Sequence, residues 1–425
     1  MSKMIKGFSK FSKAEKINWL ADNFFHEKEK GIETLEQYIN KDAQIQQLHD
    51  EFIENTISNF YVPYAIAPNF LINGKTYAIP MAIEESSVVA AAALTAKFWS
   101  TRGGFLANVI STTKIGQVHF TYEGSKSDLE EYFLSVKNDL IQATDHITLN
   151  MRKRGGGIVD IELRDRTESL EHYYQLHVTF ETGDSMGANF INSCLEAIAD
   201  SFQKEDVFVI MSILSNYVPQ CLVRAEVSCK IEEFFPEDAE LYARKFVQAV
   251  EIAKVEPFRA VTHNKGIMNG IDAVVLATGN DFRAVAAGAH AYACKDGQYS
   301  SLTQAEIVDG NFKFSIEIPL SLGTVGGLTK LHPLAKLSME ILQNPTASEL
   351  MQIVAVAGLA QNFAAIRALT TTGIQQGHMK MHLMNILNQL EANVHEKELI
   401  SEAFRGKTVA HSAVAEYLHL IRTGH

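Results

Sequence analysis

The segment from about residue 108 to 217 constrains the fold more than any other part of the chain. Its apolar and polar residues alternate in three short runs, and a fourth run is continuously apolar and predicts a buried strand. Two helical patterns lie between these runs. The order strand, helix, two strands, helix, strand is typical of the split βαβ, ferredoxin-like motif, so we expect a compact inserted domain. The predicted strands are Val118–Tyr122, Ile158–Leu163, Tyr174–Phe180 and Val207–Met211, and the predicted helices lie near residues 127–145 and 188–202.

The flanking segments mix helices and strands. Residues 12–58 indicate short helices that open at a capping box over Ser12–Glu15, and residues 60–83 indicate short strands. An alanine-rich helix is predicted from Ser86 to Phe98. A chain of 425 residues is also too long for one ordinary core. We predict an α/β (α+β) fold with three parts: a large discontinuous substrate domain (1–108 and 218–373), an inserted cofactor domain (109–217) and a mobile helical C-terminal lid (374–425).

The composition excludes several functional classes. A net charge of −12 argues against a broad nucleic-acid surface and suits a protein with small-molecule ligands. The basic N-terminus is not followed by the apolar stretch of a targeting peptide, and no uninterrupted apolar run is long enough to span a bilayer. We therefore expect a cytoplasmic protein without a membrane partner. The cysteines lack metal-ligand spacing, which predicts no metal site: Cys194, Cys221, Cys229 and Cys294.

The polar stretch His263–Gly270 is the strongest candidate for chemistry. It places Lys265 in what we interpret as a glycine-bounded loop, and Asp281 follows at a predicted helix start. A lysine held near a carboxylate can bind an oxyanion or relay a proton. Glu85, next to the start of the alanine-rich helix, is a candidate proton donor. The plainer interpretation of Glu85 and Asp281 is that they complement or cap helix N-termini.

Two further residues have both a structural and a chemical interpretation. Arg259 either forms a surface ion pair or binds a carboxylate with both arms of its guanidinium. His378, between Gly377 and Met379, is either ordinary polar surface or an acid on a mobile lid that arrives after the substrate. The sequence around these residues leaves both alternatives open.

A third motif, Thr182–Asn189, leads into the second helix of the inserted domain. Its small residues would let a dinucleotide pyrophosphate approach the helix N-terminus. The chain has no GxGxxG fingerprint after a predicted strand, so a standard Rossmann site is not indicated.

Taken together, these segments resemble the class II (bacterial-type) 3-hydroxy-3-methylglutaryl-CoA (HMG-CoA) reductases. The resemblance runs from about residue 50 to about 385, with its motifs in the family's order. The motifs that carry it are Pro80–Ala92, Asp184–Asn189, His263–Gly270, Ala277–Asp281 and Gly377–Met379. The resemblance implies a four-electron reduction of HMG-CoA to mevalonate and CoA that uses two NAD(P)H.

The resemblance also implies roles for individual residues. Lys265 would stabilise the oxyanion, Glu85 would donate the proton, Asp281 would hold Lys265 and tune both groups, and His378 would protonate the CoA thiolate. No metal is needed, and the family's active site lies at a dimer interface, which implies a homodimer or a multiple of dimers. The residues implied to hold the HMG group are Arg259, Ser87, Asn216 and Asn269. Those implied to face the nicotinamide cofactor are Asp184, Met186, Gly187, Ala188 and Asn189.

Four positions depart from the family's pattern. Serine stands at 86 and 185, where proline and alanine are usual, and Ser58 and Leu328 replace glycines. None of these changes removes a catalytic group. They concern loop geometry, and they leave open whether substrate or cofactor preference is altered.

The sequence keeps three further alternatives open. The chain could be a relative that binds a CoA ester and a nucleotide without turnover, a different CoA-ester or hydroxyacid dehydrogenase, or a reductase that consumes mevalonate rather than making it. For the cofactor, the cluster Arg152–Arg154 favours NADPH weakly, whereas the nearby Asp145 argues for NADH.

Overall fold

The computed structural model describes residues 4–235, 238–371, 383–404, 407 and 409–423. They divide into two compact units, Met1–Pro63 and Tyr64–His425. The limits predicted for the large domain, the inserted domain and the lid remain predictions.

The first unit is helical, as residues 12–58 predict. The capping box is confirmed: the Ser12 hydroxyl accepts from the Glu15 N–H, and the Glu15 carboxylate accepts from the Ser12 N–H at 2.7 Å. An ion pair of 2.8 Å between Lys13 and Asp50 ties the first helix to the third. The Ser58 hydroxyl donates to the Leu35 carbonyl at 2.6 Å, so this serine has a structural partner. The helices are α1 (Lys13–Asn23), α2 (Lys28–Gln37) and α3 (Ala43–Asp50).

The second unit combines a β-hairpin with two four-stranded sheets and several helices. Its strands are β1 (Tyr64–Ile72), β2 (Lys75–Ala82), β3 (Leu106–Val109), β4 (Lys114–Tyr122), β5 (Gly157–Asp165), β6 (Tyr173–Glu181), β7 (Val207–Leu214), β8 (Leu222–Lys230), β9 (Thr303–Val308) and β10 (Asn311–Pro319). Its helices up to residue 371 are α4 (Val88–Ser100), α5 (Lys126–Ala143), α6 (Asp145–Arg152), α7 (Ala188–Ser201), α8 (Ile231–Phe234), α9 (Ala239–Val255), α10 (Pro257–Ala277), α11 (Phe282–Tyr292), α12 (Gly327–Leu331), α13 (Pro333–Ile341) and α14 (Ala347–Thr370).

The ferredoxin-like pattern is confirmed in the sheet formed by β4 to β7. The strand order is β5-β6-β4-β7, and every neighbouring pair is antiparallel. In chain order this is 2-3-1-4, the arrangement of the split βαβ fold. Helices α5 and α7 pack on the sheet around a core of buried apolar residues that includes Phe120, Leu176 and Ile198. The periodicity does not indicate α6, which follows α5 after one residue.

The hairpin and the second sheet belong to a larger core. Asn73 and Gly74 connect β1 to β2 with φ of 49° and 79°, as a tight two-residue hairpin turn requires. The second sheet has the order β3-β8-β10-β9 and is antiparallel. Helix α14 is mostly buried in this core. Helices α4, α9 and α10 also contribute buried residues to it.

Helix α14 is the one described helix long and apolar enough to cross a membrane by length and composition. However, 67% of its most apolar window is buried inside the protein. Core helices pass the same test of length and composition, and the burial of α14 is that of a core helix.

The prediction that Lys265 lies in a glycine-bounded loop is wrong, because residue 265 lies in the middle of α10. Gly270 serves close helix packing rather than a turn: a Cβ on it would lie 2.5 Å from the Ala357 carbonyl oxygen of α14. Gly358 on α14 is equally crowded, since its Cβ would approach Ile271 at 2.8 Å. The glycines of this stretch therefore let two helices approach closely.

The C-terminal part is helical, as predicted, where the structure describes it. Residues 383–389 are helical, followed by α15 (Val394–Ala403) and α16 (His411–Thr423). These helices bury a small apolar cluster of their own around Leu387, Ile400 and Val414. His378 and the glycines beside it lie outside the described residues.

Candidate active site

Lys265 and Glu85 form the centre of the candidate site. The Lys265 ammonium donates to a Glu85 carboxylate oxygen at 2.7 Å, and the two side chains are 59% and 43% exposed. Although 180 residues separate them in the sequence, the fold brings them into direct contact. The pair is open to solvent, so its two charges are accessible to a ligand.

Glu85 lies in the connection between β2 and α4. The predicted helix start at Ser86 is corrected, because α4 begins at Val88 and no acidic residue lies in its first turn. Ser87 occupies the N-cap position with φ of 74°, and its side chain makes no capping hydrogen bond. The interpretation of Glu85 as an acid in the first turn of this helix is therefore wrong, and Ser87 precedes the helix with a left-handed backbone.

Asn269 and Asp272 share the Lys265 face of α10. They follow Lys265 by four and seven residues, which is the spacing of one helix face. Burial raises the pKa of Asp272 to about 6. One of its oxygens is buried without a hydrogen-bond partner among the described residues. This face therefore carries an ammonium, an amide and a carboxyl group in line.

The opposite face of α10 is fixed by a buried polar network that the sequence did not reveal. His263 Nε2 lies 2.6 Å from the Thr303 hydroxyl, which donates to Asn362 at 3.0 Å. Asn264 donates to the Ser300 carbonyl at 2.9 Å. Burial, together with the Arg259 charge, lowers the pKa of His263 to about 3, so this histidine is neutral near pH 7. The network fixes the rotation of α10 and hence the direction of Lys265.

Arg259 lies in the first turn of α10, where the Glu256 carboxylate caps the helix by accepting from the Arg259 N–H at 2.6 Å. Its guanidinium is half-buried, and burial lowers its pKa from the usual value. No carboxylate of the described chain forms an ion pair with it. Arg259 therefore forms no surface ion pair within the described residues, whereas a bound carboxylate would satisfy its guanidinium.

Asp281 is the N-cap of α11, as its plainer interpretation predicts. Its carboxylate accepts from the Arg283 and Ala284 N–H groups, each at 3.1 Å. Partial burial opposes ionisation, but hydrogen bonds from Ala284 and Arg283 outweigh it and lower the pKa of Asp281. Lys265 lies about 18 Å along α10 from the end of that helix, at 1.5 Å per residue. The structure brings Asp281 into no contact with Lys265 of the same chain.

The Thr182–Asn189 motif forms the turn between β6 and α7. Gly187 caps α7 with φ of 83° and no side-chain hydrogen bond, which leaves the first N–H groups of the helix without a side-chain partner. Gly323 passes close behind the turn, since a Cβ there would lie 2.5 Å from the Met186 nitrogen. Asp184 accepts from the Ala347 N–H of α14 at 2.7 Å. These contacts fix a helix N-terminus of the kind that binds phosphate.

A buried lysine behind this turn was not singled out from the sequence. Lys114, the first residue of β4, is 4% exposed and donates to the Thr182 hydroxyl and, at 2.9 Å, to the Ser185 carbonyl. It lines a pocket together with Met186, Ala188 and Asn216. At a strand start it resembles any alternating polar residue, so only the tertiary structure reveals its burial.

Arg152 and Asp145, which favour opposite cofactors, contact one another. Arg152 and Asp145, both on α6, form an ion pair of 2.7 Å at the protein surface. Asp145 therefore neutralises one charge of the basic cluster and leaves those of Lys153 and Arg154 without an ion pair among the described residues.

The other residues that the family resemblance implies for the HMG group are distributed between these regions. Asn269 lies on the face of α10 that carries Lys265, and Ser87 is two residues from Glu85. Asn216 lines the Lys114 pocket with the start of α7. Within the described ranges, no group of three or more His, Cys, Asp or Glu residues is placed to hold a metal ion.

An accessible ammonium–carboxylate pair, with a phosphate-binding type of helix N-terminus in the same chain, is suited to an oxidoreductase that reduces a carbonyl group. Residues 13–383 match the family model of hydroxymethylglutaryl-coenzyme A reductase. Because the match spans most of the chain, the chain belongs to this family, as the sequence motifs predict.

Individual relatives support the same assignment. The chain is 39% identical over 404 residues to the 3-hydroxy-3-methylglutaryl-coenzyme A reductase of Archaeoglobus fulgidus, covering 95% of this chain and 91% of the relative. It is 35% identical to a probable reductase of Borreliella burgdorferi, covering 88% of each. Among solved structures it is similar to the class II reductase of Streptococcus pneumoniae bound to NADPH, with a TM-score of 0.73, 34% identity and coverage of 93% and 99% of the two chains.

Proposed function

We propose that the Lys265–Glu85 pair is the catalytic centre at which this chain reduces HMG-CoA. The chain is an oxidoreductase of the HMG-CoA reductase family, and the family reaction converts HMG-CoA, two NAD(P)H and two protons into mevalonate, two NAD(P)⁺ and CoA. The observation that carries the assignment of the centre is the 2.7 Å contact between an exposed ammonium and an exposed carboxylate 180 residues apart.

Each member of the pair has a defined task. The bound nicotinamide supplies the hydride in both reductions. In the first, the thioester carbonyl becomes an oxyanion, which the Lys265 ammonium stabilises. After the hemithioacetal has released CoA, the aldehyde oxygen gains negative charge in the second reduction and takes a proton from Glu85. The Glu85 carboxylate that remains accepts from the Lys265 ammonium, as in the structure, and it takes up a new proton from solvent before the next cycle.

The residues around the pair position the substrate. Arg259, half-buried and without a carboxylate partner in the described chain, binds the free carboxylate of the HMG group. Asn269, one helical turn after Lys265, donates to a substrate oxygen. Ser87 and Asn216 contribute hydroxyl and amide groups. These assignments combine the motif match with the chemistry of each side chain.

The turn before α7 holds the cofactor. The uncapped N-terminus of α7 offers N–H groups to a pyrophosphate, and the family implies that Asp184, Met186, Gly187, Ala188 and Asn189 face the cofactor. We favour NADPH over NADH, because Asp145 neutralises only Arg152 in the basic cluster that ends α6. The similar Streptococcus pneumoniae reductase was solved with NADPH.

The remaining catalytic groups imply a homodimer or a multiple of dimers. Asp281 makes no contact with Lys265 in its own chain, so we assign its catalytic contact to Lys265 of a second copy. His378 protonates the departing CoA thiolate. We place the enzyme in the cytoplasm, where it makes mevalonate for isoprenoid synthesis, and no metal takes part.

The test follows absorbance at 340 nm with purified protein, HMG-CoA, and NADPH or NADH in parallel. We expect oxidation that depends on HMG-CoA and that is faster with NADPH at limiting cofactor. Acetoacetyl-CoA and simple hydroxyacids serve as controls, because turnover of these instead would indicate a different dehydrogenase. Tight binding of HMG-CoA to folded protein without oxidation would identify a non-catalytic relative. Faster turnover of mevalonate with oxidised cofactor and CoA would indicate the degradative direction.

A further inference from the structure

Lys114 is a buried cation that forms no ion pair among the described residues. Its ammonium has three N–H groups, of which two are used by uncharged acceptors, the Thr182 hydroxyl and the Ser185 carbonyl. Glu181, whose charge acts on Lys114 without an ion pair, accepts instead from the Thr112 and Thr113 hydroxyls at 2.6 and 2.9 Å. Burying an unpaired charge is costly, so such a residue at a strand start requires a reason.

The position of the ammonium supplies that reason. The ammonium donates to the turn that leads into α7, and Lys114 lines the pocket that Met186 and Ala188 also line. The same turn is closed by a hydrogen bond of 2.6 Å from the Thr182 hydroxyl to the Ser185 carbonyl and one of 3.1 Å from the Gly187 N–H to the Ser185 hydroxyl. One residue thus links the conformation of the turn to the electrostatic potential at the start of α7.

Burial also strengthens the electrostatic effect of the Lys114 charge on a nearby anion. Desolvation lowers the pKa of Lys114, and the neighbouring Cys221 thiol and Glu181 carboxylate oppose that change. Burial raises the pKa of the Cys221 thiol to about 11, so Cys221 is neutral near pH 7. A positive charge in this water-poor surrounding acts on an anion more strongly than an exposed lysine would.

We propose that Lys114 is a positioning and affinity-determining residue of the cofactor site: it holds the Thr182–Gly187 turn and supplies the positive charge that the cofactor's phosphates balance. This inference rests on the proposed dinucleotide site. The cofactor phosphates supply the negative charge that no ion pair provides to Lys114 in the free protein. Binding of the cofactor therefore offsets the cost of burying the ammonium.

The test uses the full-length protein with Lys114→Met, which keeps the length of the side chain, and Lys114→Gln, which keeps a donor but removes the charge. Lys313→Met on the exposed side of β10 removes one charge elsewhere and serves as the matched control. Binding of NADPH without HMG-CoA is followed by NADPH fluorescence at several salt concentrations, and the melting temperature of the free protein is recorded for each variant.

We expect both Lys114 variants to bind NADPH at least tenfold more weakly, with a reduced dependence on salt and with the KM for HMG-CoA within threefold of wild type. The melting temperature of free Lys114→Met should differ little from that of wild type, because removing a buried charge opposes the loss of two hydrogen bonds to the turn. A purely structural lysine would instead leave the salt dependence of NADPH binding unchanged.

Wild-type affinity in Lys114→Gln would overturn the proposal, since the charge would then be dispensable. Wild-type affinity in Lys114→Met would overturn it as well. If the wild-type protein itself bound neither NADPH nor NADH, the proposed cofactor site would be wrong, which is a different result from an unaffected variant.

Discussion

Replacing Gly270 by alanine tests the close packing of α10 against α14, which holds Lys265 in place. In an exposed helix this change stabilises by about 0.5–1 kcal/mol, because alanine loses less conformational freedom on folding. Here the new Cβ would lie 2.5 Å from the Ala357 carbonyl oxygen and 2.9 Å from the Gln361 Cβ. Overpacking of this kind costs about 1–3 kcal/mol. We therefore expect the free energy of unfolding to fall by about 0–2.5 kcal/mol, the difference between these two effects.

Gly266→Ala is the matched control on the same helix. A Cβ at Gly266 meets only the Ala365 Cβ, at 4.0 Å, which is an ordinary contact. This variant should gain about 0.5–1 kcal/mol, because only the backbone effect operates. The measurement is urea unfolding of both variants and wild type at one protein concentration, since association shifts the apparent stability. If Gly270→Ala were stabilised as much as Gly266→Ala, the argument from helix packing would be refuted.

Three further predictions concern the candidate site. Lys265→Met should lower kcat about 10²–10³-fold, the usual cost of losing one oxyanion donor. The free energy of unfolding should change by less than about 1 kcal/mol, because the ion pair is exposed. Loss of folding without a selective loss of turnover would contradict this prediction. Arg259→Lys should raise the KM for HMG-CoA about 10–100-fold, since a charge-assisted hydrogen bond contributes about 1.5–3 kcal/mol, and an unchanged KM would exclude Arg259 from carboxylate binding. The raised pKa of Asp272, about 6 against an ordinary 3.8, means that its protonated form stabilises the fold fully below pH 3.8 and that this contribution is lost as the pH rises through 6. Asp272→Asn should therefore raise the urea midpoint more at pH 8 than at pH 5, and an equal shift at both pH values would show that Asp272 is ionised at both.

The elements with a strong local signal were predictable from the sequence. Strands β4 to β6 follow from alternation, and the Asn73–Gly74 turn follows from its two residues, because in both cases neighbouring residues determine the geometry. The continuous apolar run predicts β7 as well, but the expected burial is wrong, because the residues of β7 are exposed or half-buried. The N-cap role of Asp281 is local in the same way. Family motifs imply that Glu85 and Lys265 serve one site, but their direct contact was not predicted and is found only in the structure.

The errors arose where distant segments determine the structure. The glycines of α10 look like turn residues, but Gly270 is required by the backbone of α14, 87 residues later at Ala357. Lys114 looks like an ordinary polar strand residue, and its burial depends on the turn 68 to 71 residues away. The polar network around His263 likewise joins three separate segments, so its existence could not be inferred from His263–Lys265 alone.

The sequence distance between Glu85 and Lys265 has a consequence for how the protein is made. At roughly 5–20 residues per second, the ribosome produces the carboxylate about 10–40 s before the ammonium that it contacts. During that interval the hairpin and α4 can form, but the reactive pair cannot. Activity therefore appears only when a long-range contact closes, and recovery of turnover during refolding reports the assembly of the whole core rather than of any single segment.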